Sequence, residues 1–476
     1  MLLCLKILFL LWLINFAPPL LAHLLGQKWD NPVDAGRLFK DGKPLFGPHK
    51  TKRGVLAGVA TGLMVGWLFG FPAWVGFSAG LLSMSGDVLS SFIKRRLDLP
   101  AGSAVFGLDQ VFEGSFPFIV LAPYGSLKPL NVIILTVLFI VVAYSGSRFF
   151  KEVLLSKPYE HYPRKLNSWV RFREFRACQI TSHPLHHFVN FEDAFYYHFV
   201  MKWCFRALGL YRRGMRNALQ IEVTHINFDF EELPPAFDGY RILFLTDLHL
   251  DGLEGLTEKL QTLVGNIQAD LCVIGGDLRM ETHGPFSRAL SLMRRLIPAI
   301  HAKDGIFGIL GNHDCLEIIE VLQKEKITFL VNDAMAVERQ GERIWFVGVD
   351  DPHYYRCEDL EQAFRGVGEE DFAVFLAHSN EVYREARRYG PKLYLCGHSH
   401  AGQIQLPPFG PLFTHSRAPR RYSQGKWHYQ GMLGYTSCGA GVSGVPLRFF
   451  SHGEVALITL NRKSSGRKKR AADAVL

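Results

Sequence analysis

RILFLTDLHLD (241–251) opens with a short apolar run and ends in Asp247-Leu248-His249, a carboxylate and an imidazole two residues apart. A run of this length between polar boundaries reads as a buried strand. Four later stretches repeat the form. LCVIGG (271–276) leads into Asp277, GIFGILG (305–311) into Asn312-His313-Asp314, AVFLA (373–377) into His378, and LYLCG (393–397) into His398-Ser399-His400. From Ile221 onward short β-branched runs alternate with helical stretches, which predicts an α/β domain over 221–460. Loops at strand ends are where layered sheet folds gather their chemistry. Carboxylate, imidazole and amide ligands together suit Mn, Fe or Zn and do not make a thiolate site.

The rest of the chain has a different composition. Of 476 residues, 48% are hydrophobic and only 20% charged, against about 25% charged in an average soluble protein. Intrinsic disorder and a small disulfide scaffold are both excluded. The apolar excess lies in residues 1–150. Residues 2–25 are nearly all apolar and long enough for a span of about 20 residues. A cleaved signal peptide is the other reading, but no charged region or small-residue cleavage site supports it. Further apolar stretches lie at 54–70, 72–92, 111–123 and 131–147. The fourth is short and contains Glu113, as a broken or re-entrant span would. We therefore expect an all-α polytopic membrane domain of five spans ahead of the α/β domain.

Basic residues locate the two sides. Lys28, Arg37, Lys40, Lys43, Lys50, Lys52 and Arg53 fall in the first loop, Lys94, Arg95 and Arg96 in the third, and Arg148, Lys151 and Lys157 follow the last span. The positive-inside rule then puts the N-terminus outside and the α/β domain in the cytoplasm, on the inner (plasma) membrane. The net charge of +9 is absorbed by these loops, so no nucleic-acid partner is expected. Residues 151–220 read as a juxtamembrane helical linker with an interfacial amphipathic helix. His183, His186, His187 and His198 there read as surface histidines, and the basic tail 461–476, with GRKKR at 466–470, as a solvated end that could touch anionic lipid. The eight cysteines are scattered without a CxxC pair, which argues against a zinc ribbon and a disulfide framework and fits a reducing compartment.

The order DxH, GD, GNHD, H, GHxH resembles the calcineurin-like metallophosphoesterases. The resemblance implies two β-sheets packed as a sandwich and flanked by helices, with two divalent metals at the strand ends. It implies that Asp247, His249 and His400 hold one metal, that Asp277 bridges both, and that Asn312, His378 and His398 hold the other. A shared carboxylate offsets the repulsion of two cations about 3.5–4 Å apart while they clamp an in-line displacement and activate water. His313 would donate to the leaving oxygen, oriented by Asp314. LPPAFDGYRILFLTDLHLD (233–251), GVDD (348–351), GHSHAGQIQLPPFG (397–410) and SCGAG with PLR (437–448) resemble the membrane-associated branch of these phosphodiesterases. Where many members carry Asp three residues after the GD aspartate, this chain has Met280, preceded by Arg279.

Residues 1–150 resemble CDP-archaeol synthase, a membrane cytidylyltransferase similar to the CTP:phosphatidate enzymes. GPHKTKRG (47–54), GDVLSSFIKRR (86–96) and Asp109-Gln110 carry that likeness. It implies transfer from CTP to a lipid phosphate, with Asp87 and Asp109 as Mg carboxylates and Asp87 catalytic. Lys50, Arg53, Lys94 and Arg95 would face nucleotide or lipid phosphate. The family continues DQ-x-D-F, whereas this chain reads Asp109-Gln110-Val111-Phe112-Glu113. The combined expectation is a membrane-bound two-metal phosphoesterase acting on phosphorylated lipid or CDP-lipid, fused to a CTP-dependent transferase-like domain. The alternative is a general or nucleotide phosphodiesterase tethered by an inactive anchor.

Overall fold

The computed structural model describes residues 1–26, 28–99, 108–182, 190–191 and 194–463. His183, His186, His187 and the 466–470 tail lie outside the described residues, as does the side chain of His198. The chain forms two compact units, Met1–Ser156 and Lys157–Leu476.

The first unit is helical. Its helices are Leu2–Leu25, Lys52–Leu68, Ala73–Arg96, Leu108–Ser115, Phe118–Tyr124 and Pro129–Phe149. Among the described residues, Leu2–Leu25 and Pro129–Leu154 are long and apolar enough to cross a membrane. The stretch 111–123 breaks into two short helices, and Lys52–Leu68 has only 17 residues. That helix buries Gly54, Gly58, Gly62 and Gly66 along one face. A Cβ on Gly62 would lie 2.6 Å from the carbonyl oxygen of Gly76, and one on Gly66 2.8 Å from Gly76 Cα. Bare glycine lets these two backbones touch, the way helices pack where lipid supplies no hydrophobic drive between them.

The second unit is a sandwich of two six-stranded sheets. One runs in the order Ile221–Phe230, Gly453–Arg462, Tyr240–Leu245, Leu271–Ile274, Ile306–Gly308, Ile327–Phe329. The other runs Gly425–Tyr429, Met432–Thr436, Leu393–Cys396, Ala373–Leu376, Glu342–Gly348, Asp333–Arg339. All five runs that end in ligand-type residues are strands, and each pairs in parallel with a neighbour. Alternation explains their continuous hydrophobicity. In Tyr240–Leu245, Ile242 and Phe244 face the core between the sheets, while Leu243 and Leu245 pack beneath the helices Leu256–Val264 and Ser287–Leu296.

The cysteines are not all free, as a reducing compartment would leave them. Cys178 and Cys315 form a disulfide, 137 residues apart in sequence. Spacing patterns reveal only local pairs, and here tertiary packing brings Phe175–Gln179 against the residue that follows Asp314. The segment around Cys178 is fastened in other ways. Buried Arg164 pairs with Asp350 at 2.5 Å and Glu174 at 2.8 Å, Tyr162 donates to Glu174, and Gly284 N–H donates to the Ala177 carbonyl. Residues 157–182 thereby build one wall of the second unit.

Candidate metal centre

The five strands stop just short of Asp247, Asp277, Asn312, His378 and His398, and the chain turns sharply at each crest. Asp247, His249, Asp277, His398 and His400 all have left-handed backbones, with φ of 52°, 38°, 58°, 68° and 49°. Such conformations cost of order 1–3 kcal/mol each in a non-glycine residue and gather at functional sites. Here they aim five side chains at one point. Glycines clear the space. A Cβ on Gly311 would sit 2.1 Å from Asp277 Oδ1, and one on Gly397 2.1 Å from Asp247 Oδ2.

The converging atoms form two overlapping groups. In the first, His249 Nε2 and His400 Nε2 face each other at 3.1 Å, and His400 Nε2 lies 3.3 Å from Asp247 Oδ1. In the second, His378 Nε2 lies 3.1 Å from Asp277 Oδ2, with His398 alongside. Asp277 Oδ2 also stands 3.6 Å from His249 Nε2 and so belongs to both. Asn312 Oδ1 is buried without a hydrogen-bond partner among the described residues, and His378 Nε2 meets only the Asp277 carboxylate within hydrogen-bond distance. Facing imidazole nitrogens, an unsatisfied buried acceptor, and two carboxylates fit a pair of divalent cations. The far side of each imidazole is also arranged for this. His249 Nδ1 donates to the Arg279 carbonyl at 2.6 Å and His378 Nδ1 to the Gly275 carbonyl at 2.8 Å, which leaves Nε2 of each ring free as a ligand.

Electrostatics reports the same demand for positive charge. Burial by itself would lower His378, yet Asp277 and Asp247 outweigh it and lift the imidazole to about 10. Burial would raise Asp277, but the surrounding histidines, His378 at 3.1 Å among them, hold it well below the usual carboxylate range. His398 and His400 are pushed far down, by burial first and then by neighbouring His353 and His249 respectively, so both are neutral and ready to ligate. Burial takes His313 down to about 3, leaving a neutral ring with one N–H to donate.

Asp314 stands elsewhere than the sequence suggested. Its carboxylate accepts the backbone N–H groups of Asp277 at 2.7 Å, Leu278 at 2.9 Å and Gly311 at 2.9 Å. It clasps the two crests together and thereby positions Asp277, instead of orienting the His313 ring. The His313 N–H of the main chain in turn donates to Asp277 Oδ1 at 2.8 Å.

Sequence reading gave no role to two buried arginines. Arg279 donates to the carbonyls of His313, Gly284, Thr282 and Ala177, tying the wall segment to the crest. Arg448, from PLR, donates to the carbonyls of His400, Cys438, Gly439 and Gly441. It also missed His353 and Glu381, which hydrogen-bond at 2.9 Å, with the His353 ring centroid 4.2 Å from that of His398. His353 follows GVDD directly with one proline between, the only local signal that marked it.

The first unit has its own cluster. Lys50 contacts Asp87, and Lys94 Nζ lies 2.8 Å from Asp109 Oδ1. Glu113 lies within electrostatic range of Asp87, Lys50 and Asp109, while Phe112 offers only its carbonyl, which a Cβ on Gly86 would meet at 2.4 Å. Arg53 turns away to Asp30 at 3.0 Å, and Arg95 is buried.

Residues 1–154 match the CarS-like family, described as CDP-archaeol synthase, and residues 240–402 match the calcineurin-like phosphoesterases. The chain carries an N-terminal CarS-like domain and a C-terminal metallophosphoesterase domain, and both indicate an enzyme. "Uncharacterized metallophosphoesterase YkuE" of Bacillus subtilis (strain 168) is 29% identical over 50% of this chain and 85% of its own length. "Transmembrane protein with metallophosphoesterase domain" of Danio rerio is 27% identical over 52% of this chain and 60% of its own. "CDP-archaeol synthase" of Thermococcus onnurineus (strain NA1) is 47% identical over 17% of this chain and 54% of its own. The chain thus spans little more than half the length of the last two.

Proposed function

We propose that this protein is a membrane-bound two-metal phosphoesterase that hydrolyses a phosphomono- or diester of phospholipid metabolism. The convergence of Asp247, His249, Asp277, His378, His398 and His400 on one point carries this reading. Asp247, His249 and His400 would hold one cation, Asn312, His378 and His398 the other, and Asp277 would serve both. Bound there, two divalent metals supply Lewis-acid clamping of the phosphoryl group and activation of water. The chain's own part is to position and to move a proton. Asp314 fixes the crest that carries Asp277, and neutral His313 donates its N–H toward the leaving oxygen as the ester bond to phosphorus breaks and the alcohol departs. Full-length protein in lipid nanodiscs, assayed with Mn and a panel of phosphoesters, tests this. Metal-dependent release of phosphate or CMP from lipid substrates is expected, and hydrolysis of soluble esters alone would favour the general phosphodiesterase reading.

For the first unit we propose five membrane passages with the fourth broken, and a transferase-like site in which Glu113 replaces the aspartate absent at 112. The nearness of Glu113 to the charges of Asp87, Lys50 and Asp109 supports this. Asp87, Asp109 and Glu113 would bind Mg with CTP, while Lys50, Lys94 and Arg95 neutralise phosphate. Arg53 would reach phosphate only by leaving Asp30. Labelled CTP converted to labelled CDP-lipid by wild type but not by Asp87→Ala is the expected result.

The basic loops favour an inner-membrane protein with its phosphoesterase in the cytoplasm. The disulfide Cys178–Cys315 favours the opposite side, since cytosolic disulfides are rare outside hyperthermophiles. Exposed Cys204 separates the two. A membrane-impermeant maleimide added to intact cells labels it only if the domain lies outside.

A further inference from the structure

The loop that follows His398-Ser399-His400 runs out into a short antiparallel hairpin, Gln405–Leu406 paired with Gly410–Pro411. Its exposed surface is apolar. Phe409 at the tip is 79% exposed and Phe413 59%, and Leu406 and Leu412 are exposed beside them. Phe450, 68% exposed, follows Phe449, whose backbone pairs with the base of the hairpin: Gln405 N–H donates to the Phe449 carbonyl and Phe449 N–H to the Gln403 carbonyl. Scattered exposed hydrophobics are ordinary, but a contiguous set of large ones marks a surface that meets something apolar.

The hairpin is joined firmly to the metal centre. A Cβ on Gly402, two residues past His400, would lie 2.4 Å from Pro411 Cβ and 2.6 Å from the Phe413 carbonyl. The His398 ring contacts the His415 carbonyl at 3.2 Å. Charge in the sequence around the hairpin is one-sided, although in space Arg417 pairs with Glu381 at 3.7 Å. Between Glu385 and Glu454 the chain holds eight Lys and Arg and no Asp or Glu. Arg417, Arg420 and Arg421, just past the hairpin, are exposed, and Arg417 donates to the His353 carbonyl at 3.1 Å. Aromatic and aliphatic side chains at a tip, followed in the chain by exposed arginines, are the composition of an interfacial anchor on anionic lipid.

We infer that this hairpin, with Phe450 beside it, is a wedge that enters an anionic bilayer and holds the metal centre against the headgroups, so that the centre takes phosphoesters of lipids still resident in the membrane. The substrate half of this rests on the phosphoesterase reading above; the insertion half does not. A protein partner would need complementary acid on its own surface and is the competing occupant.

Photo-crosslinking separates these. Full-length protein carrying p-benzoylphenylalanine at position 409 is placed in nanodiscs of phosphatidylcholine and phosphatidylglycerol and irradiated, with the same substitution at exposed Glu320 as control. Lipid adducts at 409 and none at 320 are expected, whether or not any lipid is hydrolysed. Absence of lipid adducts at 409 overturns the inference, as does a protein adduct in their place when native membranes are irradiated. The activity arm compares a lipid phosphate in the nanodisc with the soluble ester bis(p-nitrophenyl) phosphate. In Phe409→Ser/Phe413→Ser the ratio of lipid to soluble hydrolysis is expected to fall by about tenfold or more as interfacial anchoring is lost. Adducts with an unchanged ratio overturn the presentation of membrane-resident substrate. Adducts with no lipid hydrolysis by wild type uphold insertion and count against the phosphoesterase reading alone.

Discussion

The two acid clusters of this chain meet the cost of taking carboxylates out of water in opposite ways. In the first unit Asp87 and Asp109 are each met by a lysine, Lys50 and Lys94. In the second, the ion-pair partners of Asp247 and Asp277 among the described residues are all histidines. Histidines supply compensating charge only by taking protons, and the upward push of Asp277 and Asp247 on His378 marks where positive charge is demanded. A cluster that carries its own lysines is partly compensated at rest, and incoming phosphate shares cations already there. A cluster that lacks them demands cations from outside. The need for cations from outside is thus written more strongly into the electrostatics of the second site than of the first.

The contrast is broken most severely at the residue shared by both groups of ligands. Asp277→Ala is expected to abolish hydrolysis of a generic diester and to lower bound metal measured by mass spectrometry; near-wild-type turnover would end the two-metal account. Chelation of wild type should do the same, with Mn, Fe or Zn restoring activity. Next comes the cradle. Gly397→Ala drives a Cβ onto Asp247 Oδ2, and a drop of about 10–100-fold in metal affinity or activity is expected from displacing a ligand this way. Metal titration by calorimetry checks it, since unchanged affinity would mean that the carboxylate has room to move.

Smaller effects test the wall. Replacing Cys178 and Cys315 by alanine should cost about 2–4 kcal/mol of stability, seen as a lower melting temperature, with hydrolysis at room temperature little altered. A large loss of hydrolysis with unchanged melting would instead give the wall a part in the chemistry. Smallest of all is the expected effect of Asp87→Ala on hydrolysis, which should be nil while CDP-lipid formation disappears. Glu113→Gln should mimic it in CDP-lipid formation; normal transfer by that variant would mean Glu113 does not replace the missing aspartate.

Much of this architecture was legible in the chain itself. Five apolar runs with ligand residues at their ends are visible because parallel strands buried on both faces leave continuous hydrophobic stretches. Those ligands must follow the strands directly, so the metal centre is local in five places at once. The glycines of GNHD, CGHSH and CGAG are equally local, each required where a Cβ would strike an aspartate or the backbone beside it. Other features had no local signature. Cys178 meets Cys315, Arg164 meets Asp350 and Arg448 caps the loop of His400 only because distant segments pack together. Asp314 reads in sequence as the neighbour of His313, yet its backbone turn sends the carboxylate to the amides of another strand end. Sequence determines which residues sit at strand ends, because strand period and length are short-range properties. Which of them share a proton, a clasp or a disulfide is decided by the packing of one sheet crest on the next, which only the tertiary structure contains.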